Sequence, residues 1–311
     1  MYGTPATYQL GHDTTATAVT HTQPLIPTDR AQPQDFEVDL FFIFDQAFLI
    51  SISVQMGLIM VTHLGPGIDR ITPDAPSSRS KANAGEALEE RITSYRARGL
   101  IITTITSDGE PVINAMSHKL QQEGITQNIM GHGAHIPHIE SAIRHIKNKA
   151  RSTAFSLLFT LPSKLAPALI TFVTYTANMI PNSPDHVPAY TQFTGRIPSF
   201  VKQTPHSFGK SGFLRGPTSN SAAQRADYVT WLGTTRNLAG THRFLNLSTL
   251  AEITGDKFTP APLTQDAIDR LMTLAGYPQP AQQPVRRDPE QSLQNLAPPL
   301  PLGPSSRGTF R

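Results

Sequence analysis

Cysteine is absent from the 311 residues. Its absence excludes a disulfide framework, a cysteine nucleophile and every zinc site built on thiolates, including the Cys/His zinc modules that bind nucleic acid. Charge is scarce as well. Asp, Glu, Lys and Arg make up 16% of the chain, 26 bases against 23 acids, for a formal net charge of +3. So small an excess gives weak support to strong nonspecific binding of nucleic acid. Long apolar runs are also missing. Residues 38–64 are interrupted by Asp39, Asp45, Gln46, Gln55, Gly57 and His63, and residues 165–180 are few and contain Pro167. Neither stretch offers the roughly 20 apolar residues of a spanning helix. The N-terminal stretch has no basic n-region followed by an apolar h-region, so a soluble protein is expected.

Proline, by contrast, is in excess at 27 residues, while the hydrophobic fraction is only 38%. Part of the chain is therefore expected to be unstructured. Residues 1–35 hold eight Thr and four Pro with almost no apolar periodicity, and residues 278–311 carry eight of the prolines. Both ends read as disordered. Between them, residues 36–185 read as a mixed α/β core. Three strand-like runs at 38–43, 47–54 and 58–64 follow one another closely, with a turn at Asp45-Gln46, which favours an antiparallel meander. A helical pattern at 84–98, stopped by Gly99, leads to a β-branched run at 100–106 of the kind buried on both faces. A helix to about Gln122, a weaker strand at 125–130, a helix opened by Pro137 and a second helix near 163–180 complete the core. Residues 186–277 carry short strands at 228–232, 241–247 and 251–254 and a helix at 265–274. They read as a small β-rich unit, an incomplete barrel.

Three acids occupy unusual places. Asp39 lies inside the first apolar strand, Asp108 follows the buried-type strand, and Glu140 falls in the first turns of the Pro137 helix. Each has an ordinary reading: an outward strand residue, a helix N-cap and a macrodipole-favoured surface acid. Together they could converge on one edge of the sheet. Three converging carboxylates suit Mg²⁺ or Mn²⁺, and a pair of such ions stabilises the attacking and leaving oxygens of a phosphodiester. On the same helix Glu140, Arg144, Lys147 and Arg151 form one stripe beside Ile136, Ile139, Ile143 and Ile146. That stripe is either an i,i+4 surface pair with further bases, or an acid followed by cations that hold a phosphate backbone.

At these residues a family resemblance emerges. Glu37-Val-Asp39-Leu-Phe-Phe, Tyr95-Arg-Ala-Arg-Gly99, Thr106-Ser-Asp108-Gly-Glu110 and Gly131-x-Gly133-x-His135-Ile-Pro137-x-Ile-Glu140-x-x-Ile143-Arg144-x-Ile-Lys147 resemble the integrase core of copia-type LTR retrotransposon polyproteins, within the retroviral integrase superfamily. Leu161-Pro-x-Lys-Leu165, Phe193-Thr-Gly195-Arg, Gly240-Thr-His-Arg-Phe-Leu-Asn-Leu247 and Phe258-Thr-Pro260-x-Pro262 continue it to about residue 277. The resemblance implies an RNase H-like sheet of five strands flanked by helices, followed by the β-rich unit. It implies a metal triad of Asp39, Asp108 and Glu140, separated by 69 and 32 positions. It further implies two Mg²⁺ or Mn²⁺ ions and DNA contacts from His135, Arg144, Lys147 and Arg151. The implied reaction is 3′-end processing of element DNA followed by strand transfer, performed by a homo-oligomer in the nucleus or in a cytoplasmic element particle. The zinc-binding N-terminal module of the family has no counterpart here, because it needs cysteine.

Other readings stay open at this point. An element remnant that binds nucleic acid without catalysis, or a nuclease of the RNase H type, would share the same core. His132, His135 and His138, with His145 nearby, could mark a zinc site, although Pro137 starts a helix between them. Trp231 and Tyr228 could stack on bases, or could be strand core aromatics.

Overall fold

In the computed structural model of the chain the described residues are 33–66, 78–109, 111–131, 135–181, 186–216, 225–235 and 240–277. The stretches 1–32 and 278–311, expected to be disordered, lie outside them, as do His132 and Glu110. The first sheet begins with β1 (Pro33–Ile43), β2 (Gln46–Ser53) and β3 (Ile59–Pro66), an antiparallel meander. β1 starts five residues before the strand expected at Val38 and takes in Pro33–Asp35. The β1–β2 turn is Phe44-Asp45, with φ of 52° and 57°, and Ile43 pairs with Gln46. It is a two-residue hairpin turn with both central residues left-handed, as strand twist favours. Gln46, expected in the turn, instead opens β2, and its Oε1 accepts a 2.7 Å bond from His63 Nε2 across the sheet.

A crossover through α1 (Ser78–Arg96) brings β4 (Ile101–Ser107) parallel to β1, and β5 (Thr126–Ile129) lies parallel to β4, giving the order β3-β2-β1-β4-β5. Gly99, at φ 74°, closes α1: its N–H reaches the Arg96 carbonyl and Leu100 N–H reaches that of Tyr95. That pair of bonds is a left-handed helix stop that glycine adopts without strain. Between β4 and β5 the single helix expected from the sequence is two short ones, α2 (Pro111–Asn114) and α3 (Ser117–Gln122). Beyond β5 come α4 (Pro137–Phe155), a 3-10 turn at Ser163–Leu165, α5 (Ala166–Asn178), α6 (Ala189–Thr194) and α7 (Phe200–Gln203). This is the mixed α/β, RNase H-like class expected of the sequence.

The alternation along β1 places a core on each face of the sheet. Phe36 and Val38 pack with Leu88, Ile92 and Tyr95 of α1. Phe41 and Ile43 join Phe48 and Ile50 of β2 and pack against Ile139 and Ile146 of α4 and Leu169 and Val173 of α5. The second core takes nothing from β4 or β5. The expectation that β4 is buried on both faces is thereby corrected. Ile101 is 57% exposed, Thr104 and Thr106 are half-buried, and Thr126, Asn128 and Ile129 of β5 are exposed. The helical layer stops at β1, so this edge of the sheet stands open on one side.

The second sheet runs in the order β10-β6-β7-β8-β9, entirely antiparallel, from β6 (Ser211–Arg215), β7 (Ala226–Thr234), β8 (His242–Asn246), β9 (Glu252–Gly255) and β10 (Phe258–Pro260). β6 and β10 were not expected, since each is short and carries glycine or proline. The sheet curls tightly, as an incomplete barrel does. The Phe258 ring of β10 lies tilted 5.2 Å from Phe244 of β8, and Gly255 of β9 sits where a Cβ would come within 2.7 Å of Leu214 on β6. Trp231, fully buried, fills the inside with Val229, Phe244 and Leu214. The outer side of β7 and β8 (Leu232, Leu245) and α8 (Gln265–Leu274) share the α4–α5 core of the first sheet.

The imidazoles make this assembly sensitive to acid. His63, His145, His206 and His242 are each held below the ordinary value of 6.5, chiefly by burial. His206 adds repulsion at His242, where Asp256 acts weakly the other way; the two imidazoles flank Trp231 at 6.0 and 5.7 Å. A folded state that refuses protons the unfolded chain accepts loses stability as pH falls. The contribution is fully present above about pH 7 and declines from about 6.5 downward through the depressed native values. The melting temperature is expected to drop between pH 7.5 and 5.5, and a His242→Gln variant should show a shallower drop. Equal slopes for the two proteins would remove His242 from this account.

Candidate active site

The helix that carries Glu140 is docked on the sheet by a residue that the sequence did not single out. Glu37 points from β1 to the α4 side and is 8% exposed. Its Oε1 lies 2.7 Å from His138 Nδ1, and its Oε2 accepts the backbone N–H of Ile139 at 2.7 Å. Helix α4 begins with Ile136 as its cap, a side chain with no oxygen to offer, followed by Pro137. The amide of Ile139 is therefore an orphan donor of the first turn, and Glu37 supplies the cap from another element. The only hint in the sequence is the Glu37-Val38-Asp39 spacing: residues two apart share a strand face.

Asp39 is the next residue on that face. The parallel register of β1 and β4 runs as far as Glu37 opposite Thr106, so Asp39 and Asp108 each stand two residues beyond its last pair. Asp39 is half-buried, and its Oδ1 accepts the Leu40 N–H at 2.6 Å. Asp108 stands just past the end of β4 and is exposed. The turn after it is fixed by Gly109, at φ 86°, whose carbonyl accepts from Asn114 Nδ2 at 2.9 Å, and by the Met130 N–H bonding the Ser107 carbonyl at 2.8 Å. Asp39 thus lies within β1, past its last pair with β4, and Asp108 just past the carboxyl end of β4.

Glu140 lies one residue past the Ile139 amide that Glu37 caps, and its carboxylate turns back along its own chain. His135 Nδ1 is 3.0 Å from Oε1, and the Ile136 N–H donates to the same oxygen at 3.3 Å. The bond from His135, chiefly, holds the Glu140 carboxyl below its ordinary value. Arg144 acts on Glu140 only through its charge, so the i,i+4 ion pair that the spacing allowed gives way to the pair with His135. Further along α4, Arg144 and Arg151 are exposed, and Lys147, half-buried, sits 5.8 Å over the Phe41 ring. The buried stripe is Ile139, Ala142, Ile146 and Ala150, so the basic stripe does run along the rim of the core.

For the divalent ion that the family resemblance implies, the donor chemistry fits: Asp39, Asp108 and Glu140 offer only hard carboxylate oxygens. The two aspartates each stand two residues beyond the last β1–β4 pair, and the glutamate is held by His135 and the Ile136 N–H. Among the described residues no three His, Asp or Glu side chains stand close enough to hold a metal ion. The histidines point to different carboxylates, His135 to Glu140 and His138 to Glu37. Trp231 is inaccessible to a base, and Tyr228 spends its hydroxyl on the Pro262 carbonyl and the Thr264 N–H. Among the described residues no helix is long and apolar enough to cross a membrane.

No protein-family model matches the chain, and no curated protein matches it. Among solved structures it is similar to the catalytic core domain of BIV integrase, a crystal structure, at 13% sequence identity and a TM-score of 0.37, covering 51% of this chain and 92% of that one. A likeness at that score carries neither family nor function.

Proposed function

We propose that the protein is a polynucleotidyl transferase of the integrase type, acting on DNA ends and target DNA. The observation that carries this reading is that Asp39 and Asp108 each follow by two residues the last pair of the parallel β1–β4 register, with the Glu140 helix fastened to β1 by Glu37. In this reading Asp39, Asp108 and Glu140 would hold Mg²⁺ or Mn²⁺, two ions in the complete site, which supply charge stabilisation at the reacting phosphorus. Glu140 must first leave His135 and Ile136 N–H to take part. Arg144, Lys147 and Arg151, with His135, line one flank and would hold the phosphate backbone. In end processing a water oxygen attacks a phosphodiester and the strand departs with a free 3′-hydroxyl. In strand transfer that hydroxyl attacks a target phosphodiester, one new P–O bond replaces one broken, and the target's 3′-oxygen leaves with a proton. A homo-oligomer would hold two element ends at once, and a nuclear or element-particle setting follows from the same chemistry.

The test is a joining assay with element-end duplexes and plasmid target. Strand-transfer products that require Mg²⁺ or Mn²⁺ and vanish with chelator are expected. DNA binding with no joining under any divalent ion would instead support a nucleic-acid-binding remnant, the reading favoured by the engaged Glu140. Cleavage of RNA–DNA hybrids without joining would assign an RNase H-type nuclease.

A further inference from the structure

Phe155, the last residue of α4, is 89% exposed, the most of any large apolar side chain among the described residues, and Leu158 is 75% exposed. Single apolar side chains are ordinary on a protein surface. These two stand out by their surroundings. From residue 141 onward every other exposed residue of α4 is polar: Ser141, Arg144, His145, Asn148, Arg151 and Ser152. Phe155 continues that face one turn after Arg151, at the i,i+4 spacing that makes side chains neighbours.

The segment is also held in place. The Ser156 N–H reaches the carbonyls of Ser152 and Thr153, its hydroxyl donates to the Thr153 carbonyl at 2.7 Å, and the Leu157 N–H reaches that of Ala154. Leu157 and Phe159 turn inward and pack in the core that α4 shares with α5, so Phe155 and Leu158 are the outward pair of a fixed turn.

Charge decides what this face meets. No carboxylate occurs from Ser141 to Pro184, a stretch that carries Arg144, Lys147, Lys149, Arg151 and Lys164. Arg144 and Arg151 are exposed and form no ion pair with a described residue. Spaced cations on an acid-free face suit a phosphate backbone. Two apolar side chains among polar ones are too few for the core of a protein interface, which needs a contiguous patch. They match the wedges with which DNA-bending proteins part a base step. Fifteen residues, about 22 Å of helix, separate Glu140 from Phe155. A duplex lying along α4 meets the phenyl ring about six base pairs from the Glu140 end.

We propose that Phe155, followed by Leu158, is a wedge that enters the base stack of DNA held along α4 by Arg144 and Arg151. The inference rests on the reading above that DNA lies on this helix, and it adds that the bound duplex is partly unstacked and unwound.

Relaxation of a closed plasmid by a type I topoisomerase in the presence of the full chain tests it. A side chain that parts base pairs unwinds the duplex and leaves a lower linking number once the protein is removed. That reduction is expected with the native chain and with Phe155→Trp, and should be lost in Phe155→Ser. Phe155→Ser should also weaken affinity for a short duplex about tenfold with an unchanged salt slope, since the phosphate contacts remain, whereas Arg151→Gln should lower the slope by about one. The thermal melt of Phe155→Ser should stay as it is, because the ring lies outside the core. DNA binding by the native chain without a change in linking number, or an equal change in Phe155→Ser, overturns the wedge and leaves the proposed transfer activity standing. Absence of DNA binding overturns both. Sedimentation of Phe155→Ser as a smaller species than the native chain without DNA, with unwinding intact, gives the two side chains to a second copy of the chain and also overturns the inference.

Discussion

Replacing Glu37 by alanine is expected to destabilise the fold by about 2–4 kcal/mol, read as a lower denaturant midpoint with an unchanged slope. The figure follows from what the carboxylate does. It is buried between β1 and α4, and both its oxygens are used, one by His138 and one by the amide of Ile139. Truncation removes two charge-assisted bonds and leaves a helix N-terminus without its cap, under a layer that water does not fill. Glu37→Gln keeps an oxygen for the Ile139 amide and should recover about half of the loss. The same change should lower any joining activity along with stability, because α4 carries Glu140 and the basic stripe. Retained stability in Glu37→Ala would mean that the apolar contacts of Ile139 and Ile146 dock α4 by themselves.

Asp108→Asn should do the reverse: little or nothing to stability, and a loss of strand transfer of roughly a thousandfold, the scale on which a charge-stabilising group at a reacting centre acts. Asp108 is exposed and makes no side-chain bond to a described residue, so its replacement belongs with surface changes of about half a kcal/mol or less. The pair of variants therefore separates position from chemistry. Glu37 acts through the helix that it docks, and its loss should show in the unfolding curve first. Asp108 would act on the reaction itself, and its loss should show only in the joining assay. Transfer that survives Asp108→Asn unchanged would remove this residue from the site, whatever the fold.

Much of this architecture is legible along the chain. Period-two runs around Asp39 and residues 47–54 gave both hairpin strands, because side chains on a two-sided sheet must alternate. Gly99 and Pro137 marked a helix end and a helix start through backbone constraints that act within one turn. The helix at Gln265–Leu274 was legible to the residue, since Thr264 caps it locally by accepting the Ala267 N–H. Cysteine-free composition alone removed thiolate zinc chemistry. All of these are local: they depend on what a few neighbouring residues can do.

What only the tertiary structure decided is the pairing of distant groups. β6 and β10 were invisible because Gly212 and Pro260 lack strand character by themselves; they become strands by lying against β7 and against each other. Glu37 lay just outside the strand expected at 38–43, and only α4, a hundred residues later, brought an uncapped amide to it. Nothing in the helical pattern at 84–98 set Arg91 apart, and only packing against β2 and β3 buried its charge. The triad shows the same division. The sequence orders Asp39, Asp108 and Glu140, and the parallel register ends two residues before each of the first two. The third is directed by a short-range bond to His135, a contact that spacing permitted alongside several others and that only the folded chain selected.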